Sequence, residues 1–145
     1  MRAVLQRVRR AEVSVNGGRI GKIGKGMVIF LGMKEGDGEE EAQWLADKCM
    51  NLRIFDDSEG RMNRSALEVE GQFLVVSQFT LYGDARKGRR PDFTQSMEPE
   101  GAKRLYNTFL NTLKKSGLTV ETGSFGEKMA VDLINDGPVT LIIDR

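Results

Sequence analysis

Met27-Val28-Ile29-Phe30-Leu31 is an unbroken apolar run between two glycines, and no other stretch limits so strongly what this chain can fold into. A continuous run of this kind, without polar alternation, should be a central strand of a sheet. The residues ahead of it supply strands to lie beside it. Arg2 to Val8 and Ala11 to Val15 both read as strands, the second alternating more cleanly through Val13 and Val15. Asn16-Gly17-Gly18 is a strong hairpin signal leading into Arg19 to Ile23, and Gly24-Lys25-Gly26 is a second turn that delivers the chain to the apolar run. Gly17, Gly18, Gly21, Gly24, Gly26 and Gly32 do not make a phosphate-binding loop, because no GK[ST] follows and they separate strands instead of opening a helix. Turn chemistry accounts for them.

The period changes after Asp37-Gly38. Ala42, Leu45, Cys49 and Leu52 follow at spacings of three, four and three, one stripe of a helix. Glu39, Glu40 and Glu41 sit at the positive end of its dipole, so they mark a helix start and not acid/base chemistry. Arg53 to Phe55 reads as a short strand or exit segment, Asp56 to Met62 is turn-rich, and Phe73 to Ser77 is the next strand. Pro99 suits the first turn of a second helix whose buried face is Ala102, Leu105, Tyr106, Phe109, Leu110 and Leu113, with Gly117 as its stop. Thr119 to Thr122 is strand-like. Lys128 to Ile134 alternates as a strand, Asn135-Asp136-Gly137-Pro138 breaks it, and Val139 to Ile143 forms a last one. The expected architecture is α+β: one domain over residues 1–145, with about eight strands in a mixed or antiparallel, barrel-like sheet and two main helices.

Composition enters chiefly through what it excludes. The 22 basic and 21 acidic residues leave a net charge of +1, so any contact with nucleic acid must come from local patches. There is no histidine among the 145 residues. This removes the Ser-His and Cys-His pairs, the commonest general base and the commonest zinc ligand together. Cys49 stands alone and reads as a small buried apolar residue. No calcium-loop spacing surrounds Asp37, Asp56 or Asp57, so neither metal nor cofactor is expected. The apolar runs fall short of the roughly 20 residues of a membrane span. Arg2, Arg7, Arg9 and Arg10 interrupt the N-terminus, which lacks a signal-peptide core, and the expected location is the cytoplasm.

Chemistry concentrates in Leu74 to Pro91. After the apolar Leu74-Val75-Val76, the residues Ser77, Gln78, Phe79 and Thr80 deliver two hydroxyls, an amide and an aromatic ring, and Arg86, Lys87, Arg89 and Arg90 then gather positive charge. A polar pocket beside a cationic patch suits a phosphate-bearing substrate. A strand with a polar solvent face and a soluble turn would read the same way, and on composition both readings stand.

SQFTL at Ser77 to Leu81, together with NDGPVT at Asn135 to Thr140, is similar to the signature pair of the D-aminoacyl-tRNA deacylases. RAVLQRV, LRIF, GRMN, GDARKGRRPDF and TGSFGEKM extend the resemblance from end to end, while Glu127 departs from it where a small residue such as alanine is expected. The resemblance implies a homodimer with shared active sites that hydrolyses the ester linking a D-amino acid, or glycine, to the terminal adenosine of tRNA. It implies that Gly137-Pro138, for which composition alone favours an ordinary trans turn, is cis and forms a chiral gate reaching into the other subunit. Ser77, Gln78, Phe79 and Thr80 would then face the adenosine and the ester, Phe125 and Met129 would line the same pocket, and Arg7 would help hold the partner's Gly-Pro loop. Arg86, Lys87, Arg89 and Arg90 become candidates for tRNA contact. Nothing close in sequence activates Thr80, so it is expected to orient and not to attack. The rivals are a non-catalytic RNA-binding module and a purely structural dimerisation domain.

Overall fold

In a computed structural model, which describes residues 1–145, the first strand β1 (Arg2–Val15) runs for 14 residues without interruption. The two strands expected there are one. Along one edge its first half pairs antiparallel with β3 (Gly26–Gly32), Arg2 opposite Gly32 and Val8 opposite Gly26. Its second half pairs on that edge with β2 (Gly18–Ile23), Ala11 opposite Ile23. The hairpin between them turns where Asn16-Gly17-Gly18 predicted, with φ of 50° at Asn16 and 80° at Gly17.

Helix α1 (Glu39–Asn51) follows, its start marked by the Gly38 N–H donating to the Glu41 carboxylate at 2.9 Å. The short strands β4 (Phe55–Asp56) and β5 (Met62–Arg64) form a separate hairpin. The strand β6 (Gln72–Ser77) then pairs parallel with β3, a single 3₁₀ turn (Phe79–Tyr82) follows, and α2 (Pro99–Lys114) packs beside α1. The Glu98 carboxylate caps α2 by accepting from the N–H groups of Glu100 and Gly101. The strand β7 (Val120–Thr122) adds parallel to β6, and β8 (Ala130–Asp144) lies along the other edge of β1. The main sheet is therefore mixed, as expected. No helix is long and apolar enough to cross a membrane.

Both faces of β3 and β6 are covered, which explains their missing alternation. Met27, Ile29, Leu31, Phe73 and Val75 face the helices, joining Leu45, Cys49, Leu105, Phe109 and Leu113 in one cluster. Val28, Leu74 and Val76 face the barrel interior with Val8, Ala11, Val13 and Ile23. Cys49 is fully buried, and burial pushes its thiol up to about 12.

Two glycines read as turn residues have a second role in close backbone approach, Gly21 of β2 to β7 at the far end of the sheet and Gly26 of β3 to its neighbour β6. A Cβ on Gly21 would stand 3.0 Å from the Thr122 carbonyl oxygen, and one on Gly26 would stand 1.9 Å from that of Gln72.

The second departure from expectation is at β8. Asn135-Asp136-Gly137-Pro138 does not end the strand. Asn135 pairs with Val8 and Thr140 with Gln6, so four residues of β8, Asp136 to Val139, stand opposite the single residue Arg7. The strand extrudes a loop and resumes its ladder, because β1 continues beneath it as an unbroken template. Gly137-Pro138 at its tip is a cis peptide with φ of 121° at Gly137. The far edge of β8 carries no strand, and Ile134, Leu141 and Ile142 on it are exposed.

Gly26→Ala is expected to lower stability by about 3 kcal/mol or more, because a backbone carbonyl and not a mobile side chain blocks the added methyl. Gly17→Ala, with a positive φ but open space around it, is expected to cost about 1 kcal/mol. Urea midpoints at unchanged m compare the two directly, and equal midpoints would refute the close approach at Gly26.

Candidate active site

At the end of β6 the chain carries its pairing with β3 one residue further, the Gln78 N–H donating to the Leu31 carbonyl at 2.8 Å. It then folds into the 3₁₀ turn, whose ladder opens with the Leu81 N–H donating to the Gln78 carbonyl at 3.3 Å. The N–H groups of Phe79 and Thr80 lie ahead of that ladder, as the first donors of any helical turn do. Gly32 leaves room for the turn: a Cβ there would lie 3.0 Å from the Gln78 carbonyl oxygen.

The turn borders a cavity of about 480 Å³, mostly apolar, roofed by the start of α2 and by the segment from Phe125 to Val131. Ser77, Gln78 and Phe79 line it, as do Phe125 and Met129. Thr80 does not. Its hydroxyl accepts from the Gln78 side-chain amide on the exposed side of the turn. Glu127 is the one ionisable side chain in the lining, and it is exposed.

Residues that sequence reasoning passed over hold this arrangement. The Ser96 hydroxyl donates to the Phe79 carbonyl at 3.1 Å, and the Phe93 ring meets the Phe79 ring edge-on at 5.1 Å between centroids. Fixing that carbonyl also fixes the Thr80 N–H, which belongs to the same planar peptide. On the opposite wall the buried Tyr106 hydroxyl donates to the Val75 carbonyl at 2.8 Å, and its ring packs against Phe125 at 5.6 Å. Burial pushes the Tyr106 hydroxyl up, so it stays a donor. Gly123, whose N–H also donates to Val75, leaves space that the Met129 sulfur fills. Only Tyr106 carried a sequence signal, a hydroxyl on the apolar face of a helix.

The Gly137-Pro138 loop stands elsewhere. Both residues are exposed, and neither lines the cavity of its own chain. The loop is held from beneath. Arg7, 6 % exposed, donates to the Asp136 carbonyl at 3.1 Å, the Ile54 carbonyl at 2.7 Å and the Asp56 carboxylate at 2.9 Å. Within the chain these donors brace its own loop, and the four-residue extrusion opposite Arg7 places them there. Asn135 Oδ1 accepts from the Val139 N–H at 3.1 Å. The Asp136 carboxylate accepts from Arg9 at 2.8 Å; that bond, with the positive charges of Arg7, Arg9 and Lys25, holds its carboxyl below the ordinary range.

The basic loop is a closed excursion. Asp84 and Asp92 exchange two backbone hydrogen bonds, of 2.7 and 2.9 Å, at its base. Arg86 folds back onto the Asp84 carboxylate, holding that carboxyl down to about 2, whereas Lys87, Arg89 and Arg90 are exposed and take part in no ion pair. None of the four lines the cavity. No group of three or more metal-ligating side chains is present.

Known proteins share this arrangement of sequence and fold. The sequence profile of the family D-Tyr-tRNA(Tyr) deacylase matches residues 4–144. A D-aminoacyl-tRNA deacylase of Thermosipho africanus (strain TCF52B) is 54% identical over 144 residues, 99% of this chain and 97% of the relative. One from Halothermothrix orenii (strain H 168 / OCM 544 / DSM 9562) is 55% identical over 144 residues, with the same coverage of 99% and 97%. Among solved structures, the c-Myc DNA Unwinding Element Binding Protein superposes with a TM-score of 0.93 at 40% identity, covering 100% of this chain and 99% of that one. A probable eukaryotic D-amino acid tRNA deacylase has the same fold, with a TM-score of 0.84 at 20% identity over 99% of this chain and 98% of its own.

Because its carboxyl is depressed in the folded state, Asp136 supports the loop above the ordinary carboxylate value of 3.8, and that support is lost as pH falls through the lower folded value. The Val139 amide resonance is expected to shift across that acid window in the native protein and to stay constant in Asp136→Asn. An identical acid shift in both would remove Asp136 from the anchoring of the loop.

Proposed function

This chain belongs to the D-Tyr-tRNA(Tyr) deacylase family and is a D-aminoacyl-tRNA deacylase, and on that footing we propose that two copies share their active sites, the Gly137-Pro138 loop of each closing the cavity of the other against L-aminoacyl esters. One observation carries this reading. The loop is exposed, braced by a buried arginine, and absent from the cavity of its own chain. A loop so firmly held, with nothing of its own to line, fits a role on another surface. The bare edge of β8 and the exposed Ile134, Leu141 and Ile142 offer the second copy a place to dock.

In this arrangement the terminal adenosine enters between Phe125 and Met129, and the ester lies against Ser77, Gln78 and Phe79. Water attacks the ester carbonyl, the bond to the ribose oxygen breaks, and the proton lost by water ends on that oxygen, the neighbouring ribose hydroxyl assisting. The N–H groups of Phe79 and Thr80 face the developing oxyanion, where one well-placed donor is typically worth about 3 to 4 kcal/mol. The gate's carbonyls hold the α-amino group. An L side chain then collides with the loop, while a D side chain points to solvent, so selectivity acts by exclusion. Such a site is indifferent to which D side chain it meets, and it admits glycine. The setting is the cytoplasm, where tRNA is charged.

The deciding experiment is deacylation of matched D- and L-tyrosyl-tRNA by a trace of protein with a chelator present. Release from the D form alone is expected, and tRNA binding without release would leave only an RNA-binding role. Pro138→Ala, at an exposed position, is expected to relax the rejection of L-tyrosyl-tRNA while the melting temperature holds. Unchanged rejection would remove the gate.

Thr80→Ala and Glu127→Gln are each expected to retain partial turnover, well above the loss of about 10² to 10⁴ that follows removal of a general base. A loss of that size in either variant, with fold and tRNA binding intact, would make the side chain a direct participant.

A further inference from the structure

The 3₁₀ turn separates the cavity from a second hollow, an open cleft of about 820 Å³. Three segments present neighbouring residues to the two hollows. Met33 lines the cavity and Lys34 the cleft; Phe79 lines the cavity while Leu81 and Tyr82 line the cleft; Ser96 lines the cavity and Gln95 the cleft. The partition is one or two residues thick, on the order of 7 Å at most. The cavity and the cleft therefore lie on either side of one thin wall.

The cleft differs in character from the cavity, since it is polar and cationic. Arg2 is paired with Asp144 at 2.7 Å, donates to the Leu81 carbonyl at 3.1 Å and lies over the Tyr82 ring. Arg86 is paired with Asp84. Against those two carboxylates the lining sets three arginines and a lysine: Arg2 and Arg86 are paired with them, Arg145 lies 3.9 Å from Glu40 and over the Trp44 ring, and Lys34 is exposed and in no ion pair. From Arg86 the charge continues outward along Lys87, Arg89 and Arg90.

We infer that this cleft holds the phosphodiester backbone of the nucleotides immediately preceding the terminal adenosine, with the Lys34 ammonium on a phosphate. The inference rests on the placement of that adenosine in the cavity. A single strand leaving the cavity needs both an exit across a thin wall and fixed positive charge beyond it, and the cleft supplies both. Arg2 and Arg86, locked by their carboxylates, shape the channel, while Lys34 adds an uncompensated charge.

The test compares two substrates, D-tyrosyl-tRNA and D-tyrosyl-adenosine, which carries no upstream nucleotides. Lys34→Ala is expected to raise KM for the tRNA about tenfold with kcat held. It should lower the slope of log(kcat/KM) against log salt by about 0.7, and leave D-tyrosyl-adenosine unaffected. Lys34→Arg should restore the tRNA kinetics, since the charge returns. Equal losses on both substrates, or tRNA kinetics untouched by Lys34→Ala, would overturn the assignment. If the unmodified protein cleaved neither substrate, the reading of the cavity itself would fall, and the cleft's assignment with it.

Discussion

The structure depends first on the backbone pairing of β1 with β8, which runs from Arg2 opposite Asp144 to Ser14 opposite Ala130. Because β1 is continuous, β8 can leave the ladder for four residues and rejoin it in register. The extrusion would otherwise expose several backbone groups without partners, and a buried arginine meets part of that need through the Asp136 carbonyl. The same guanidinium reaches the Ile54 carbonyl and the Asp56 carboxylate, so one side chain joins β1, the entry to β4 and the Gly-Pro loop. A charge buried this deeply is tolerable only when it is paired and hydrogen-bonded, and here three acceptors take the donors of Nε and Nη1.

The cavity is built on a different logic, with almost no charge. Its polar groups are an amide, hydroxyls and backbone dipoles, held by neighbours that do not themselves react. Ser96 and Phe93 clamp the 3₁₀ turn from one side; on the other, Tyr106 ties α2 to β6 through the Val75 carbonyl and supports Phe125. Donors arranged before the substrate arrives need no reorganisation when charge develops, which suits ester hydrolysis in a chain without histidine. Within one chain the Gly137-Pro138 loop stands apart from the cavity. In the proposed arrangement of two copies, that separation makes chirality a question of assembly.

Much of this was legible in the chain. The unbroken Met27 to Leu31 run marked a doubly covered strand, Asn16-Gly17-Gly18 marked its hairpin, and the 3.6-residue spacing of Ala102, Leu105, Phe109 and Leu113 marked α2. Each is a local pattern imposed by burial or by dihedral preference, so it survives in one dimension. The misreadings share a cause as well. Asn135 to Pro138 carries every local signal of a strand end, and only the continuous β1 opposite keeps β8 in one piece. Gly21 and Gly26 look like turn residues because the backbone that crowds them, at Thr122 and Gln72, is far away in sequence. Thr80 looked like part of the pocket wall through adjacency to Phe79, yet the tight turn sends the two to different sides.

By itself, the sequence determined the inventory: where most strands and both helices lie, which chemistry is excluded by the absence of histidine, and which two motifs carry the resemblance to the family. Those follow from local periodicity, from turn preferences and from side-chain type, none of which needs a third dimension. Only the tertiary structure decided which groups meet. It placed Arg7 beneath its own chain's loop, Ser96 against the Phe79 carbonyl and Tyr106 against that of Val75. Such contacts join residues tens of positions apart, and they are set by strand register and by the approach distance that a glycine allows, quantities that exist only once the sheet has closed.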